Sequence, residues 1–145
     1  MIDEIPLPST DDPLDAPFWE AARRGELAVQ RCSGCGTLRF PPRPMCSACN
    51  SLEHGWRTMS GKGRIWSFAV PHPPLLPAFE KLAPYNVVIV ELEDDPSIRL
   101  VGNLVAGVGG AINQVDPTTI RIGQPVRAVF ERVAEDVALP RWIAS

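Results

Sequence analysis

Four cysteines are the residues whose type and spacing most clearly indicate chemistry. They form two Cys-x-x-Cys pairs separated by ten residues, Cys32 with Cys35 and Cys46 with Cys49. Two residues between thiolates allow one tight turn to direct both sulfurs at a single point. Two such turns facing each other place four sulfurs at about 2.3 Å around a tetrahedral ion, as in a closed structural zinc site. We therefore predict that all four cysteines bind one metal ion.

The residues around these pairs support a structural metal site. Gly36 and Asn50 follow the second cysteine of each pair, where a left-handed residue closes the turn. Iron suits four thiolates as well, so the spacing leaves zinc and iron open. A thioredoxin-like redox pair would need only one such motif in a βαβ setting. Because four ligands complete the coordination shell, we expect the metal to fold the module and not to catalyse.

The composition limits the class of protein. The chain has 145 residues, of which 45% are apolar and 21% charged, and this excludes bulk disorder, collagen and a coiled coil. Sixteen prolines and eleven glycines make long helices unexpected. Residues 1–4 are acidic where a signal peptide would be basic and then apolar, and no apolar stretch is long enough to span a membrane. We therefore expect a cytoplasmic protein with reduced cysteines and no disulfides.

The net charge of −3 conceals three segments of different sign. Residues 1–22 carry six acids and no base, residues 23–64 carry eight bases and two acids, and residues 65–145 carry six bases and nine acids. A basic middle segment indicates an anionic ligand or partner. The alternative is that its bases pair with the acidic flanks.

The elements that must position the cysteines are short. An extended, proline-rich arm leads to a helix that Asp15 can cap and Gly25 can end, with Pro17 in its first turn. A strand at 27–31 then runs directly into Cys32. Further strands are predicted at 56–59, 64–70, 86–92, 98–105, 126–131 and 139–143, and a short helix at 77–82.

Alternation within the strand at 64–70 places Ile65 and Ala69 on one face and Trp66 and Phe68 on the other. Four or five strands with glycines at their bends favour a small, closed or nearly closed barrel. A small β-sandwich is the alternative.

Motifs along nearly the whole chain resemble one known family. They are Phe18-Trp19, Gly25-Glu26-Leu27, the two cysteine pairs, Phe40-Pro41-Pro42-Arg43, Trp56, Ser60-Gly61-Lys62-Gly63, Ile65-Trp66-Ser67-Phe68, His72, Pro84-Tyr85, Val90-Glu91-Leu92 and Gly123-Gln124-Pro125-Val126. In this order they resemble the acyl-CoA-associated zinc-ribbon and OB-fold proteins, long catalogued as domain of unknown function family 35.

The resemblance implies a mainly β fold. We expect an extended arm and a short helix at 1–26, a rubredoxin-like zinc ribbon at 27–53 and a small OB-fold barrel at 54–145. Two features depart from the family pattern: the acidic turn Asp94-Asp95-Pro96 lacks the expected glycine, and the connection at 106–119 is long and glycine-rich.

The resemblance also implies a function. Members pair with thiolase-superfamily proteins of thiolase, aldolase or acyltransferase type, or with hydratases, and help to bind an acyl-CoA thioester. Their pathways include steroid side-chain and fatty or aromatic acid degradation. The expected role is therefore a noncatalytic accessory subunit of a hetero-oligomer, in which the partner supplies the catalytic residues. The sequence offers no catalytic constellation of its own.

The basic middle segment suits a CoA ligand, which needs cations for its phosphates and flat surfaces for its adenine. Each arginine has the alternative of a solvated charge or an ion pair with the acidic arm, and each aromatic residue has that of a core or interface position. The candidate acyl-CoA or partner contacts are Arg39, Phe40, Arg43, Arg57, Lys62, Arg64, Trp66, Phe68 and His72.

Two other functions fit parts of the sequence. One is an assembly factor that stabilises its partner without touching the ligand. The other is a single-stranded nucleic-acid-binding module, since OB barrels are common single-strand binders. The composition disfavours the second function, because the barrel segment is net negative and residues 86–135 contain one aromatic residue, Phe130.

Overall fold

The computed structural model describes residues 5–145, and residues 1–4 of the predicted arm lie outside the described residues. Within residues 5–145 the fold has two short helices, eight strands and a 3-10 turn at Pro117–Thr119. In chain order the helices and strands are α1 (Ala16–Arg23), β1 (Ala28–Cys32), β2 (Leu38–Arg39), β3 (His54–Thr58), β4 (Lys62–Ala69), α2 (Pro77–Glu80), β5 (Val87–Leu92), β6 (Arg99–Gly102), β7 (Pro125–Ala134) and β8 (Val137–Ala144).

Helix α1 begins and ends as predicted, but the hydrogen bonds at its N-terminus differ from the predicted side-chain cap. Gly25 has φ +78°, which confirms it as the left-handed stop. The prediction that Asp15 caps the helix through its side chain is wrong, because that side chain makes no capping hydrogen bond. Instead the backbone oxygen of Asp12 accepts hydrogen bonds from the N–H groups of Asp15 and Ala16. The Phe18 N–H, which a capping side chain would bind, donates to the Asp15 backbone oxygen at 2.9 Å.

The first sheet has three antiparallel strands in the order β2-β1-β3. Strand β1 pairs with β3 from Ala28 opposite Thr58 to Cys32 opposite His54. The ribbon sheet therefore extends to Thr58, beyond the boundary expected at residue 53. Strand β1 is the central strand and ends at the first metal-ligating candidate.

The second sheet has five strands in the order β6-β5-β4-β7-β8, all antiparallel. Its two ends meet where Leu104, just past β6, forms a parallel bridge with Trp142 in β8. The Val105 N–H donates to the Trp142 oxygen at 2.8 Å, and the Trp142 N–H donates to the Asn103 oxygen at 3.0 Å. The five strands thus curl into a small barrel, as predicted, and not into a sandwich.

A β-bulge in β4 changes which side chains face the core. The register with β5 shifts between Ile65 and Ser67, so the alternation changes phase at Trp66. The prediction that Trp66 and Phe68 share a face is therefore wrong. Trp66 lies outside the barrel with 44% of its surface exposed, whereas Phe68 packs against the core and Ala69 is exposed.

One hydrophobic core joins the helix, the ribbon and the barrel. Phe18 of α1, Val29 of β1 and Met59 of the ribbon-to-barrel connection belong to the same buried cluster as the inward side chains of the barrel. The fully buried Trp142 lies in this cluster. A Cβ at Gly102 would come within 2.9 Å of the Trp142 Nε1 atom, so the indole packs where Gly102 has no side chain.

A second, smaller cluster covers the outer face of the β7–β8 hairpin. Val129 of β7 and Ile143 of β8 point outward and are buried beneath Tyr85, Val105 and Ile112. The segment around α2 and the long connection after β6 therefore form a lid over this part of the barrel. None of the helices formed by residues 5–145 is long and apolar enough to cross a membrane.

The acidic turn between β5 and β6 closes without glycine through its own carboxylates. Asp95 Oδ1 accepts a hydrogen bond from the Ser97 N–H at 3.1 Å. Asp94 accepts from the backbone N–H of Ser60 at 3.0 Å and from the Ser60 hydroxyl. The Ser60 hydroxyl and N–H hydrogen bonds lower the pKa of Asp94 below its ordinary value. The turn is thereby tied to the β3–β4 connection.

Candidate metal centre and ligand surface

The two cysteine pairs lie in matched turns at one end of the ribbon. The Gly36 N–H donates to the Cys32 oxygen and the Asn50 N–H to the Cys46 oxygen, each at 2.9 Å. Gly36 has φ +77° and Asn50 has φ +62°, which confirms the predicted left-handed closing residues. Each turn presents one buried and one exposed cysteine. The buried pair is Cys32 and Cys46, and the exposed pair is Cys35 and Cys49.

The four sulfurs have the spacing of a tetrahedral metal site. All four Sγ atoms lie within 4.8 Å of one another. Across the two turns, Cys32 Sγ is 3.6 Å from Cys49 Sγ, and Cys35 Sγ is 3.7 Å from Cys46 Sγ. Sulfurs at about 2.3 Å from a central ion would be about 3.8 Å apart at tetrahedral angles. The donor set therefore fits a metal ion that prefers four thiolates, and within residues 5–145 no other such group of three or more ligands occurs.

Backbone groups in the turns favour the ionised sulfurs that a metal needs. The Gly34 N–H donates to Cys32 Sγ at 3.3 Å, and the Ala48 N–H donates to Cys46 Sγ at 3.4 Å. The Cys35 N–H, with the other donors in its turn, lowers the pKa of Cys32 to about 6. The thiolate form of Cys32 is thus stabilised before any metal binds.

The neighbours of the two exposed cysteines shift their pKa values in opposite directions. A hydrogen bond with the Thr37 hydroxyl, at 3.0 Å, lowers the pKa of Cys35. At Cys49 the Ser51 N–H lowers the pKa, but the sulfurs of Cys32 and Cys35 outweigh it and raise the pKa to about 12. Four adjacent sulfurs cannot all ionise without a cation among them. The arrangement is therefore that of a closed metal-binding site with no position left for a substrate.

The nine candidate ligand contacts do not converge on one pocket. Lys62 and Arg64 border a groove of about 330 Å³ beside the barrel, whereas Phe68 and His72 border an open groove of about 520 Å³ next to the 3-10 turn. Phe40 borders a third groove, of about 370 Å³, between α1 and the barrel. The aromatic and cationic groups are thus distributed over the surface from the ribbon to the barrel.

Two of the candidate arginines are joined by a buried glutamine. Gln30 in β1 is fully buried, and its Oε1 accepts hydrogen bonds from the Arg39 side chain and, at 2.8 Å, from the Arg43 N–H. The Arg39 guanidinium also donates to the Arg43 backbone oxygen at 2.9 Å. Arg39 is therefore a bracing residue of the loop after β2, and the Arg43 side chain is the one exposed to solvent.

Arg57, Trp66 and Phe40 have distinct surroundings. Arg57 is exposed on β3. Phe40 packs on Phe18, with ring centroids 5.3 Å apart, and so belongs largely to the joint between α1 and the ribbon. Trp66 is covered on one ring face by the guanidinium of Arg99, whose Cζ lies 3.8 Å from the ring centroid. Arg99 was absent from the predicted contacts, because only the pairing of three strands brings it beside Trp66.

The chain matches two family profiles. The profile described as "ChsH2, C-terminal OB-fold domain" matches residues 56–131, more than half of the chain, and "ChsH2, rubredoxin-like zinc ribbon domain" matches residues 19–55. The chain belongs to the ChsH2 family. The predicted mainly β architecture of zinc ribbon and OB-fold barrel is thereby confirmed, as is the predicted resemblance to domain of unknown function family 35.

Curated relatives of the ChsH2 family member fall into two kinds. A "Probable enoyl-CoA hydratase alpha subunit" of Thermomonospora curvata is 39% identical over 127 residues, covering 87% of this chain and 36% of that protein. A "DUF35 domain-containing scaffold protein" of Methanocaldococcus jannaschii is 38% identical over 108 residues, covering 73% of this chain and 68% of that protein. The chain thus spans about a third of the length of the hydratase subunit and two thirds of the scaffold protein.

A solved structure matches the ChsH2 family member along almost its entire length. The chain superposes on one chain of the "Ltp2-ChsH2(DUF35) aldolase" with a TM-score of 0.79 and 35% sequence identity, covering 94% of this chain and 98% of that one. The likeness includes ribbon and barrel together, and so extends to their relative placement.

Proposed function

We propose that this chain is a noncatalytic accessory subunit that binds a thiolase-superfamily enzyme and helps to form its acyl-CoA site. The observation that carries the proposal is the match along nearly the whole chain to a solved protein named as an aldolase of two components, Ltp2 and ChsH2. The partner, of thiolase, aldolase or acyltransferase type, supplies the catalytic residues. The pathway class is CoA-thioester metabolism, such as steroid side-chain or fatty or aromatic acid degradation.

The named hydratase alpha subunit supports the same role with a different enzyme class. A hydratase partner is therefore the second form of the proposal. In both forms this chain provides no acid, base or nucleophile, which agrees with the closed coordination of its four cysteines.

We propose zinc as the metal, bound by Cys32, Cys35, Cys46 and Cys49. The mean distance between facing sulfurs and the backbone N–H donors suit Zn²⁺, whose role here is to hold the two turns together. The ion supplies folding free energy to a ribbon whose own strands are short. Elemental analysis by mass spectrometry distinguishes zinc from iron.

We propose that exposed cations of the basic segment contact the CoA phosphates at the interface with the enzyme. Arg43 and Arg64 are the best placed, since both are exposed and take part in no ion pair within residues 5–145. Lys62 and Arg57 are further exposed cations of this segment, and His72 and Phe68 border a separate groove. Arg39 contributes indirectly, because its guanidinium donates a hydrogen bond to the Arg43 backbone oxygen and so fixes the position of Arg43.

Co-expression with thiolase-like and hydratase-like proteins of the same genome tests the first part of the proposal. We expect the chain and one of these proteins to elute as one complex in size-exclusion chromatography. A chain that stays alone with every such protein would contradict the proposal.

Charge reversal tests the second part. In the complex, Arg43→Glu with Arg64→Glu should weaken acyl-CoA binding by about 10-fold or more, because two phosphate contacts become repulsive. Arg24→Glu is the matched control, an exposed arginine near the end of α1. A complex that forms normally and binds acyl-CoA with unchanged affinity would assign the chain to assembly alone.

A further inference from the structure

Two parts of the outer surface of the barrel differ in how far their apolar side chains are buried. The outer face of the β7–β8 hairpin is covered by the chain's own lid, which buries Val129 and Ile143. Within residues 5–145, the outer face of β4, β5 and β6 contributes no buried side chain to that cluster, only the half-buried Val87. There Trp66 is 44% exposed and Val101 is 65% exposed, although strands of a small barrel usually present polar residues to solvent.

The apolar side chains on this face, of which Ile89 is half-buried, are neighbours. Ile89 of β5 lies directly opposite Val101 of β6, and Ser67, next to Trp66, lies opposite Ile89 on the other side. Arg99 is two residues before Val101 and therefore shares its face. We call Trp66, Ile89, Val101 and Arg99 the outer patch.

The bulge in β4 falls at Trp66, the largest side chain of the patch. With regular alternation, the residue after Ile65 would lie opposite one residue of β5, but the register shift leaves Trp66 without a cross-strand partner. Its indole is then held from one side by the Arg99 guanidinium, at 3.8 Å. An exposed tryptophan fixed in this way loses little rotational freedom when its other ring face is covered.

The charge at the border of the patch is positive. Glu91 of β5 lies between Arg64 and Arg99 in the strand register, so two cations face one anion. Neither arginine forms an ion pair with any residue from 5 to 145. A surface that covers the patch would therefore complement it with carboxylates around an apolar centre.

We propose that the outer patch is the surface on which the catalytic partner subunit docks, with Trp66 as its central anchor. This inference rests on the proposed function and adds the location and the chemistry of the contact. The partner presents an apolar segment to Trp66, Ile89 and Val101, and an aspartate or glutamate side chain to Arg99. Tryptophan and arginine at the centre of an apolar patch are the residue types that dominate protein interfaces.

Affinity measurements on the co-expressed enzyme test this location. Trp66→Ala should weaken binding to the enzyme subunit by about 30-fold or more, the loss typical of an interface anchor. Val101→Glu should weaken binding as well, whereas Val108→Glu should change it by less than about twofold. The two valines are matched, because they are 65% and 71% exposed, and Val108 lies on the long connection away from the patch. Circular dichroism and thermal melting verify that each variant is folded.

The outcomes separate the two proposals. If the wild-type chain binds the enzyme and the Trp66 and Val101 variants bind it equally well, the outer patch is not the docking surface, while the proposed function stands. If the wild-type chain binds no such enzyme, both proposals fail. If Trp66→Ala abolishes binding of a fluorescent oligothymidine strand and leaves the enzyme complex intact, the patch is a nucleic-acid surface and the docking proposal is overturned.

Discussion

Asn86 is hydrogen-bonded twice to the backbone of Leu104. Its Nδ2 donates to the Leu104 oxygen at 2.9 Å, and its Oδ1 accepts from the Leu104 N–H at 2.7 Å. Asn86 is fully buried and directly precedes β5, and Leu104 is the residue whose bridge to Trp142 joins the two ends of the barrel sheet. Where the barrel closes, the Asn86 side-chain amide thus makes the two backbone hydrogen bonds that a residue of a neighbouring strand would otherwise make.

Removal of this amide should destabilise the barrel. Asn86→Leu leaves a buried N–H and a buried C=O of Leu104 without partners, which costs about 2–4 kcal/mol in free energy of unfolding. Urea denaturation followed by circular dichroism measures the change. Asn113→Ala, at an exposed position of the long connection, is the control and should stay within about 0.5 kcal/mol of wild type. An equal effect of both substitutions would contradict the assigned role of Asn86.

A methyl group at Gly102 should disturb the packing of Trp142. The added Cβ would lie 2.9 Å from Nε1 and 3.0 Å from Cδ1 of the indole, closer than carbon atoms tolerate. We expect Gly102→Ala to destabilise the protein by about 1–3 kcal/mol. Gly107→Ala is the control, because no atom lies within 4 Å of its Cβ position. Guanidinium denaturation measures both, and similar midpoints would show that the indole moves aside freely.

Loss of one thiolate should release the metal. Cys46→Ser removes a buried ligand, so we expect native mass spectrometry to detect one metal ion per wild-type chain and none in this variant. Ser47→Ala, in the same turn, should retain the ion. Protons compete with the metal for the sulfurs, so the metal affinity should fall as the pH is lowered. A Cys46→Ser protein that keeps a full equivalent of metal would show that the sulfur cluster is not the binding site.

The carboxylate of Asp94 should stabilise the fold in a pH-dependent manner. Its pKa is lowered by the Ser60 hydroxyl, so the ionised form is favoured in the folded state. The stabilisation is therefore present above the ordinary aspartate pKa near 3.8 and is lost as the pH falls through the lowered value. Because the residue is exposed, Asp94→Ala should cost at most about 1 kcal/mol at pH 7.

Thermal unfolding as a function of pH checks this prediction. The difference between wild type and Asp94→Ala should be constant from neutral pH to about pH 5 and should shrink at lower pH. The neighbouring exposed Glu93→Ala is the control. A difference that grows on acidification would contradict the assignment.

The metal turns could be predicted from the sequence because their geometry is local. Two residues between cysteines, followed by Gly36 or Asn50, define each turn without reference to the rest of the chain. Apart from the two-residue β2, which no pattern predicted, the strands were predictable for the same reason, since alternation and β-branched residues act over a few positions. The helix from Ala16 to Arg23 and its stop at Gly25 were likewise visible.

The features that depend on pairing between distant strands were not predictable. The bulge at Trp66 is a feature of the pairing between β4 and β5, and it places Phe68 in the core instead of on the surface. The stacking of Arg99 on Trp66 depends on the register of β4, β5 and β6, which no single segment specifies. For this reason the sequence indicated candidate ligand contacts but not the separate grooves that they border.

The core that joins Phe18, Val29 and Met59 to the barrel has a consequence for assembly. A connection packed in this way cannot act as a hinge between the sulfur cluster and the barrel. The separation and the angle between those two ends are set when the chain folds, before it meets another molecule. A protein that contacts both ends must therefore present two contact surfaces at that fixed spacing. The chain would select partners by this distance as well as by the chemistry of each surface.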